Sequence, residues 1–252
     1  MKIFYVYSGK GGVGKSSVCL NLAFQLSKQG HKVAVFDSDI SGPSMPVLVK
    51  GLEFTEQSMK GVSIQPRVYK GVKISSIGFN NDVLDSSFWS GKYLKGVFHQ
   101  FLYSVEFDVD ILLIDLPPGT SEVHKELFSN LAEGKVVMVT TPQIVSHADV
   151  LRSIDFIKRL NVEILGVVEN MSYYICETCS NKIKIFHGDT KFELCEKHDL
   201  LFLGELPIVP EMNKYANDGI PYLLNHSLTE YELLSEKVLK LYDTKKTILK
   251  FN

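Results

Sequence analysis

The stretch Gly9-Lys10-Gly11-Gly12-Val13-Gly14-Lys15-Ser16 decides the reading of this chain. It fits the pattern G-x-x-x-x-G-K-[ST]. It also stands where such a loop must stand, between an apolar, β-prone run at 3–8 and a segment with Val18, Leu22 and Leu26 at helical spacing. The glycines let backbone N–H groups turn inward around phosphate oxygens with no Cβ in the way. The helix that follows adds its free N-terminal donors and its dipole. Lys15 is expected to bridge the β- and γ-phosphates of a nucleoside triphosphate, and Ser16 to offer its hydroxyl to Mg²⁺. Val13 and Ser17 complete the set of residues expected to surround the nucleotide.

Outward from this loop, short continuous apolar runs recur at 32–36, 72–77, 110–114, 135–139 and 164–168, with a weaker one at 201–206. Helical patterns fill most of the gaps, at 92–103, 121–131, 147–159 and 191–200. Apolar strands that do not alternate, separated by helices, describe a parallel sheet covered on both faces. The expected fold class is therefore α/β, a mostly parallel central sheet with helices on both sides, and residues 1–252 read as one domain. Glycine or proline follows several strand ends, at Gly9, Gly42-Pro43, Pro117-Pro118-Gly119, Pro142 and Pro207. In an open α/β sheet those carboxyl ends carry the ligand site. Segment 51–73 is the least patterned and reads as a surface excursion.

Two strands end in acids. Asp115 follows Ile111-Leu112-Leu113-Ile114 and precedes Leu116-Pro117-Pro118-Gly119. A carboxylate at the end of a buried strand beside a phosphate loop orients Mg²⁺ or its waters. Asp37 and Asp39 follow the run 32–36, and their alternation puts them on one side of an extended segment. Asp37 is expected to support the metal shell, and Asp39 to orient or activate the attacking water. Lys10 is not required by the loop pattern. A lysine at the loop's entrance can instead reach a nucleotide held by a facing subunit and act as an arginine finger does.

Composition narrows the partners. The chain has 252 residues, 45% hydrophobic and 22% charged, and its 27 basic and 29 acidic residues give a formal net charge of −2. That balance argues against a nucleic-acid coat. No run approaches the roughly 18 apolar residues of a membrane span, and the start MKIFYVYSGK has no secretory pattern. The C-terminal stretch 231–251 reads as a terminal helix packed on the domain, with no stable membrane insertion expected. His147 reads as a polar surface group at a helix start.

Four cysteines are too few for a disulfide scaffold and fit a reducing cytoplasm. Cys19 lies on the periodic face of the helix after the loop and reads as core. Cys176 and Cys179 form a C-x-x-C, and two thiolates do not complete a zinc site or an iron–sulfur cubane. A two-fold dimer supplies the pair twice. An intrachain zinc site is the alternative, with Cys195-x-x-His198 completing the set and His187 as another ligand. A loop with no metal is the third. The helical pattern at 191–200 favours a buried, structural Cys195.

KGGVGKS, then Asp37-Ser38-Asp39-Ile40-Ser41-Gly42-Pro43-Ser44, LIDLPPGTSE, Thr140-Thr141-Pro142-Gln143, Gly166-Val167-Val168-Glu169-Asn170-Met171-Ser172, the C-x-x-C and GELP together resemble the Mrp/ApbC family. These are iron–sulfur cluster carriers of the deviant-Walker P-loop ATPase class that includes MinD, ParA and nitrogenase iron protein. The resemblance runs from about residue 3 to about residue 224. It implies a P-loop NTPase fold and a homodimer that binds ATP with Mg²⁺, hydrolyses it slowly and passes a [4Fe–4S] cluster to apo iron–sulfur proteins. It also implies that Lys10 acts across the dimer, Asp39 serves hydrolysis and Asp115 is the Walker-B group. Asn170 would read the adenine edge, and Cys176 and Cys179 would share the cluster with the same pair of a second subunit, in an interface segment near 170–190.

The sequence departs from the family pattern at three places. Glu177 stands where many relatives have proline, Glu122 replaces an aspartate, and Phe88-Trp89-Ser90-Gly91-Lys92-Tyr93 replaces an arginine-containing segment. No extra N-terminal cysteine cluster is present, so no second permanent cluster is expected. The competing reading is a MinD/ParA-type switch acting on a partner or a membrane surface; a zinc-stabilised ATPase is a third. The segments after Asp37 and Asp115 are the expected link between the nucleotide and the cluster.

Overall fold

The computed structural model describes residues 1–40, 42–51, 66–79 and 107–244. Ten strands occur among them: β1 (Lys2–Tyr7), β2 (Val33–Asp37), β3 (Arg67–Tyr69), β4 (Val72–Ser76), β5 (Ile111–Asp115), β6 (Lys135–Thr140), β7 (Glu163–Glu169), β8 (Tyr174–Ile175), β9 (Lys182–Ile183) and β10 (Phe202–Glu205). The described α-helices are α1 (Lys15–Lys28), α2 (Met45–Leu48), α3 (Glu122–Asn130), α4 (Ile144–Arg159), α5 (Pro210–Asp218), α6 (Tyr222–Asn225) and α7 (Thr229–Asp243). The main sheet runs β10-β7-β6-β1-β5-β2-β4-β3. Every pair in it is parallel except β3 on β4.

The continuous apolar runs divide between two faces. On β1, Phe4 and Val6 join the core under α1 and α7, while Ile3, Tyr5 and Tyr7 join the core under α3 and α4. On β5, Ile111 and Leu113 go one way and Leu112 and Ile114 the other. A strand buried on both faces has no polar side to alternate with. β1 lies between β5 and β6, and the chain leaves β1 toward β2 on one side and later fills β7 and β10 on the other. The loop after β1 therefore opens at the reversal of strand order, where doubly wound sheets bind ligands.

Boundaries differ from expectation in instructive places. Segment 51–73 is not all excursion: Arg67–Tyr69 pairs with Val72–Ile74 through a turn at Lys70 and Gly71, both at positive φ (47° and 88°). The expected α-helix at 191–200 is instead a wide π-type turn (Thr190–Cys195) followed by a 3₁₀ turn (Glu196–His198), stopped by Asp199 at φ 54°. The Asp189 carboxylate accepts from Phe192 N at 2.9 Å and starts that turn. The terminal helix ends at Asp243 and buries Tyr231, Leu234, Ser235 and Val238. The expected helix at 92–103, the segment Phe88 to Tyr93 and the last eight residues lie outside the described residues. No described helix is long and apolar enough to cross a membrane.

Candidate functional site

The phosphate loop leaves β1 at Tyr7 and enters α1 at Lys15. Gly12 and Gly14 sit at φ 83° and 80°, a region costly to other residues. A Cβ on Gly12 would meet open space, whereas one on Gly14 would stand 2.4 Å from Asn170 Nδ2. Gly14 is thus fixed both by its dihedral and by a neighbour. Asn170 follows β7 directly, and its Nδ2 donates to the Val13 carbonyl at 2.8 Å. The amide expected to read a base is holding the loop.

Lys15 Nζ lies 2.5 Å from Asp115 Oδ1 and 3.4 Å from Ser16 Oγ, with Lys15 7% and Asp115 0% exposed. Parallel pairing sets Asp37 opposite Asp115 at the ends of β2 and β5. Burial first, and then the neighbouring Asp115, push Asp37 up to about 7. Burial also raises Asp115, against the opposing pull of Lys15. The Asp37 carboxylate accepts from Met45 N (3.1 Å), Ser76 Oγ (3.0 Å) and Asp39 N (3.2 Å). It pins the segment that carries Asp39. The Asp39 carboxylate accepts from Gly42 N at 3.1 Å, and Lys10 is exposed.

Asp115 Oδ2 is buried without a hydrogen-bond partner. A buried polar atom left so is costly unless a ligand completes it. With the Ser16 hydroxyl close to the same charges, it offers the hard oxygen donors that Mg²⁺ takes, the remainder coming from phosphate and water. The described residues fit that ion.

The loop after β5 is held by groups that the sequence did not single out. His124 is fully buried; its Nδ1 accepts from Ser121 N at 3.1 Å and its Nε2 bonds the Pro117 carbonyl at 3.0 Å. Those partners fix the neutral ring with the proton on Nε2. Burial pushes His124 down to about 4. Tyr7 Oη donates to the Gly119 carbonyl at 2.6 Å. The only available signal was a serine three residues before a histidine at a helix start.

A cavity of about 510 Å³ is lined by Lys10, Lys15, Ser16, Asp39, Val47 and Pro118. A mostly apolar cavity of about 260 Å³ is lined by Val18, Asn170, Ile208, Met212 and Tyr222 among others. Gly14, Ser17 and Leu48 line both. A pocket walled by lysines, serines and Asp39 and sharing residues with an apolar one at a phosphate loop has the shape and chemistry to take a nucleotide: phosphates in the first, base in the second.

Cys176 and Cys179 occupy the turn between β8 and β9. Cys176 N donates to Asn181 O at 3.0 Å, and Ser180 N to Cys176 O at 2.8 Å. The N–H groups of Cys179 and then Thr178 pull the Cys176 thiol below its ordinary value. Cys179 is exposed and Cys176 partly so, and Ile175, Ile183 and Ile185 around them are 44%, 45% and 50% exposed. Cys195 is 2% exposed in the core, and burial, then Glu169 and Glu196, push its thiol up to about 12. No group of three or more His, Cys, Asp or Glu side chains placed to hold a metal occurs among the described residues. The intrachain zinc set of Cys176, Cys179, Cys195 and His198 is therefore not assembled. His147 also departs from expectation: it is buried, with Nε2 3.0 Å from Thr190 Oγ1.

The family profile of the ParA group described as NUBPL iron-transfer P-loop NTPase matches residues 1–242. An iron–sulfur cluster carrier protein of Aquifex aeolicus is 40% identical over 232 residues, 90% of this chain and 63% of that protein. The cytosolic Fe–S cluster assembly factor CFD1 of Kluyveromyces lactis is 41% identical over 218 residues, 82% of this chain and 77% of that protein. The chain thus spans about two thirds of the length of several such carriers, 63% and 65% of those from Aquifex and Helicobacter pylori. Among solved structures, a nucleotide-binding protein of Archaeoglobus fulgidus in complex with ADP superposes with a TM-score of 0.72 at 32% identity, covering 91% of this chain and 90% of that one. The MinD cell division ATPase of Pyrococcus furiosus shares the fold, with a TM-score of 0.65 at 22% identity, covering 95% and 99%.

Proposed function

The chain belongs to the NUBPL-type iron-transfer P-loop NTPases, and on that premise we propose that it is an ATP-dependent carrier. A homodimer binds a [4Fe–4S] cluster as cargo between two copies of Cys176 and Cys179 and passes it to apo iron–sulfur proteins, in a cytoplasmic setting. The observation that carries this reading is the exposed cysteine pair, with no third metal-binding side chain beside it among the described residues. Two thiolates are half of what a cubane needs, and a second copy related by a two-fold axis brings the other half.

The cradle supplies the control. Backbone N–H groups of the glycine loop and Lys15 hold the phosphates, and Lys15 exchanges Asp115 for phosphate when nucleotide enters. Ser16 and the free oxygen of Asp115 would hold Mg²⁺, whose charge offsets that of the phosphates. Asp37 holds the segment that presents Asp39, and Asp39 orients the attacking water. Lys10 reaches the nucleotide of the facing copy. Asn170 keeps the loop closed over the base and leaves its Oδ1 to accept from an adenine amino group.

Anaerobic reconstitution tests the reading. The expected product is brown, with about four irons per dimer, lost in Cys176→Ala and Cys179→Ala and kept in Cys195→Ala. Colourless protein holding zinc that depends on Cys195 would overturn it.

A further inference from the structure

At the end of β7 two adjacent side chains reach two different functional parts. Asn170 bonds the phosphate loop at Val13. Glu169, the last residue of β7 and 4% exposed, bonds other partners. Its Oε1 accepts from Ser172 Oγ at 2.5 Å and its Oε2 from Thr190 N at 3.2 Å. Ser172 is the entry to the cysteine hairpin and Thr190 is its exit. One buried carboxylate therefore closes the base of the whole hairpin, and both of its hydrogen-bond donors are neutral.

The rest of the base is built to the same end. Ser172 N donates to Leu206 O at 3.0 Å, and Ile208 N donates to Tyr173 O at 2.6 Å, with Ile208 lining the apolar cavity. On the exit side, Gly188 N donates to Pro142 O at 2.9 Å, and a Cβ on Gly188 would stand 2.4 Å from that oxygen. Thr190 Oγ1 meets His147 Nε2 at 3.0 Å, which ties the exit to α4. Met171, between Asn170 and Ser172, is held at φ 57°, so the direction change between the two arms is fixed by the backbone. These contacts run to β7, β6 and β10 neighbours, not to the segments after Asp37 and Asp115 that the sequence pointed to.

We propose that Glu169 is the positioning residue through which nucleotide binding acts on the cysteine pair: a shift of the phosphate loop moves Asn170, and Glu169 carries it to both ends of the hairpin. This rests on the carrier reading. Its test does not need a cluster. Cys19 and Cys195 are buried, so in folded, reduced protein maleimide labels only Cys176 and Cys179, and peptide mass spectrometry reads each rate. Saturating non-hydrolysable ATP analogue with Mg²⁺ is expected to change the wild-type rate by about fivefold, the lower range of linkage between sites. Glu169→Ala removes the acceptors of both Ser172 Oγ and Thr190 N and is expected to abolish that change. Nucleotide affinity and nucleotide-driven dimerisation, measured on the same samples, are expected to stay near wild type. Ser172→Ala, which removes one donor and keeps the carboxylate, is expected to lose part of the response and serves if Glu169→Ala does not fold. A full response in either variant overturns the proposal, as does wild-type protein that binds nucleotide with no change in labelling. Wild-type protein that binds no nucleotide, or takes up no cluster on reconstitution, overturns the carrier reading instead.

Discussion

The nucleotide cradle and the cysteine hairpin lie at the same end of the sheet but rest on different physics. In the cradle, Lys15, Asp37 and Asp115 are charged or titratable groups with almost no exposure, Lys15 at the start of α1 and the two aspartates at the ends of core strands. Lys15 and Asp115 bond each other, Asp37 accepts from three donors, and moving one of these groups disturbs the others. In the hairpin, the strands are two residues long and the cysteines face solvent. Little is buried there, so the hairpin's shape depends on its fastened base and on outer ties such as Lys182 to Glu205 at 2.5 Å. A cradle that must bind the same phosphates every cycle benefits from being over-determined. On the proposed carrier reading, a site that must give up its cargo benefits from holding it with residues on which the fold does not depend.

The sharpest way to break this comparison is to remove one charge from each region. Lys15→Met leaves Asp115 buried without its cation, and loss of one partner of a buried pair typically costs about 4 kcal/mol. The urea midpoint of this variant is expected to fall accordingly at unchanged slope, with nucleotide binding lost. Cys176→Ser is expected to leave the midpoint where it is while removing the cluster. A large stability loss from the serine variant would mean that the hairpin is part of the core structure after all.

The same contrast explains what the sequence revealed. Glycines in a phosphate loop, and acids ending apolar runs, are local necessities: Gly14 needs its dihedral and Asp115 must follow a strand buried on both sides. These could be read directly, and so could the sheet. His124, Glu169 and His147 could not. Each owes its role to a meeting of distant segments, His124 with Pro117 and the β1 residue Tyr7, Glu169 with Thr190, and His147 with the turn that replaces an α-helix. Periodicity at 191–200 recorded which residues are buried, among them Leu194 and Cys195, but apolar spacing does not distinguish an α-helix from a π-type turn started by an aspartate.

A second test uses acidity to sharpen the cradle side. His124 is held at about 4 in the folded protein, against an ordinary 6.5. Between those values the unfolded chain binds a proton that the folded chain refuses, so stability rises with pH across that window. The contribution is complete above about pH 6.5 and is lost as pH falls toward 4, amounting to roughly 3 kcal/mol. Protonation also removes the acceptor for Ser121 N, loosening the loop after Asp115. His124→Gln keeps polar reach but does not titrate. The difference between its stability and that of wild type, followed by urea unfolding from pH 7.5 to 4.5, is expected to shift in the variant's favour as pH falls. Parallel curves would show that His124 is not held neutral by burial.

The smallest expected effect lies on the hairpin surface. Ile183 and Ile185 are about half exposed beside the cysteine turn, where the folded monomer gains little from them. Exposed aliphatic side chains of this size matter when a partner covers them, since burying one is worth about 1–2 kcal/mol. Ile183→Ser is therefore expected to leave monomer stability unchanged within about 0.5 kcal/mol. The same change should weaken the cluster-loaded dimer by about tenfold in sedimentation equilibrium. The split between the two readouts carries the argument. A residue that served only the hairpin's own packing would lower monomer stability first, and one that served nothing would move neither. Loss confined to the dimer is the outcome required if the second half of the thiolate set arrives on a second copy of this surface.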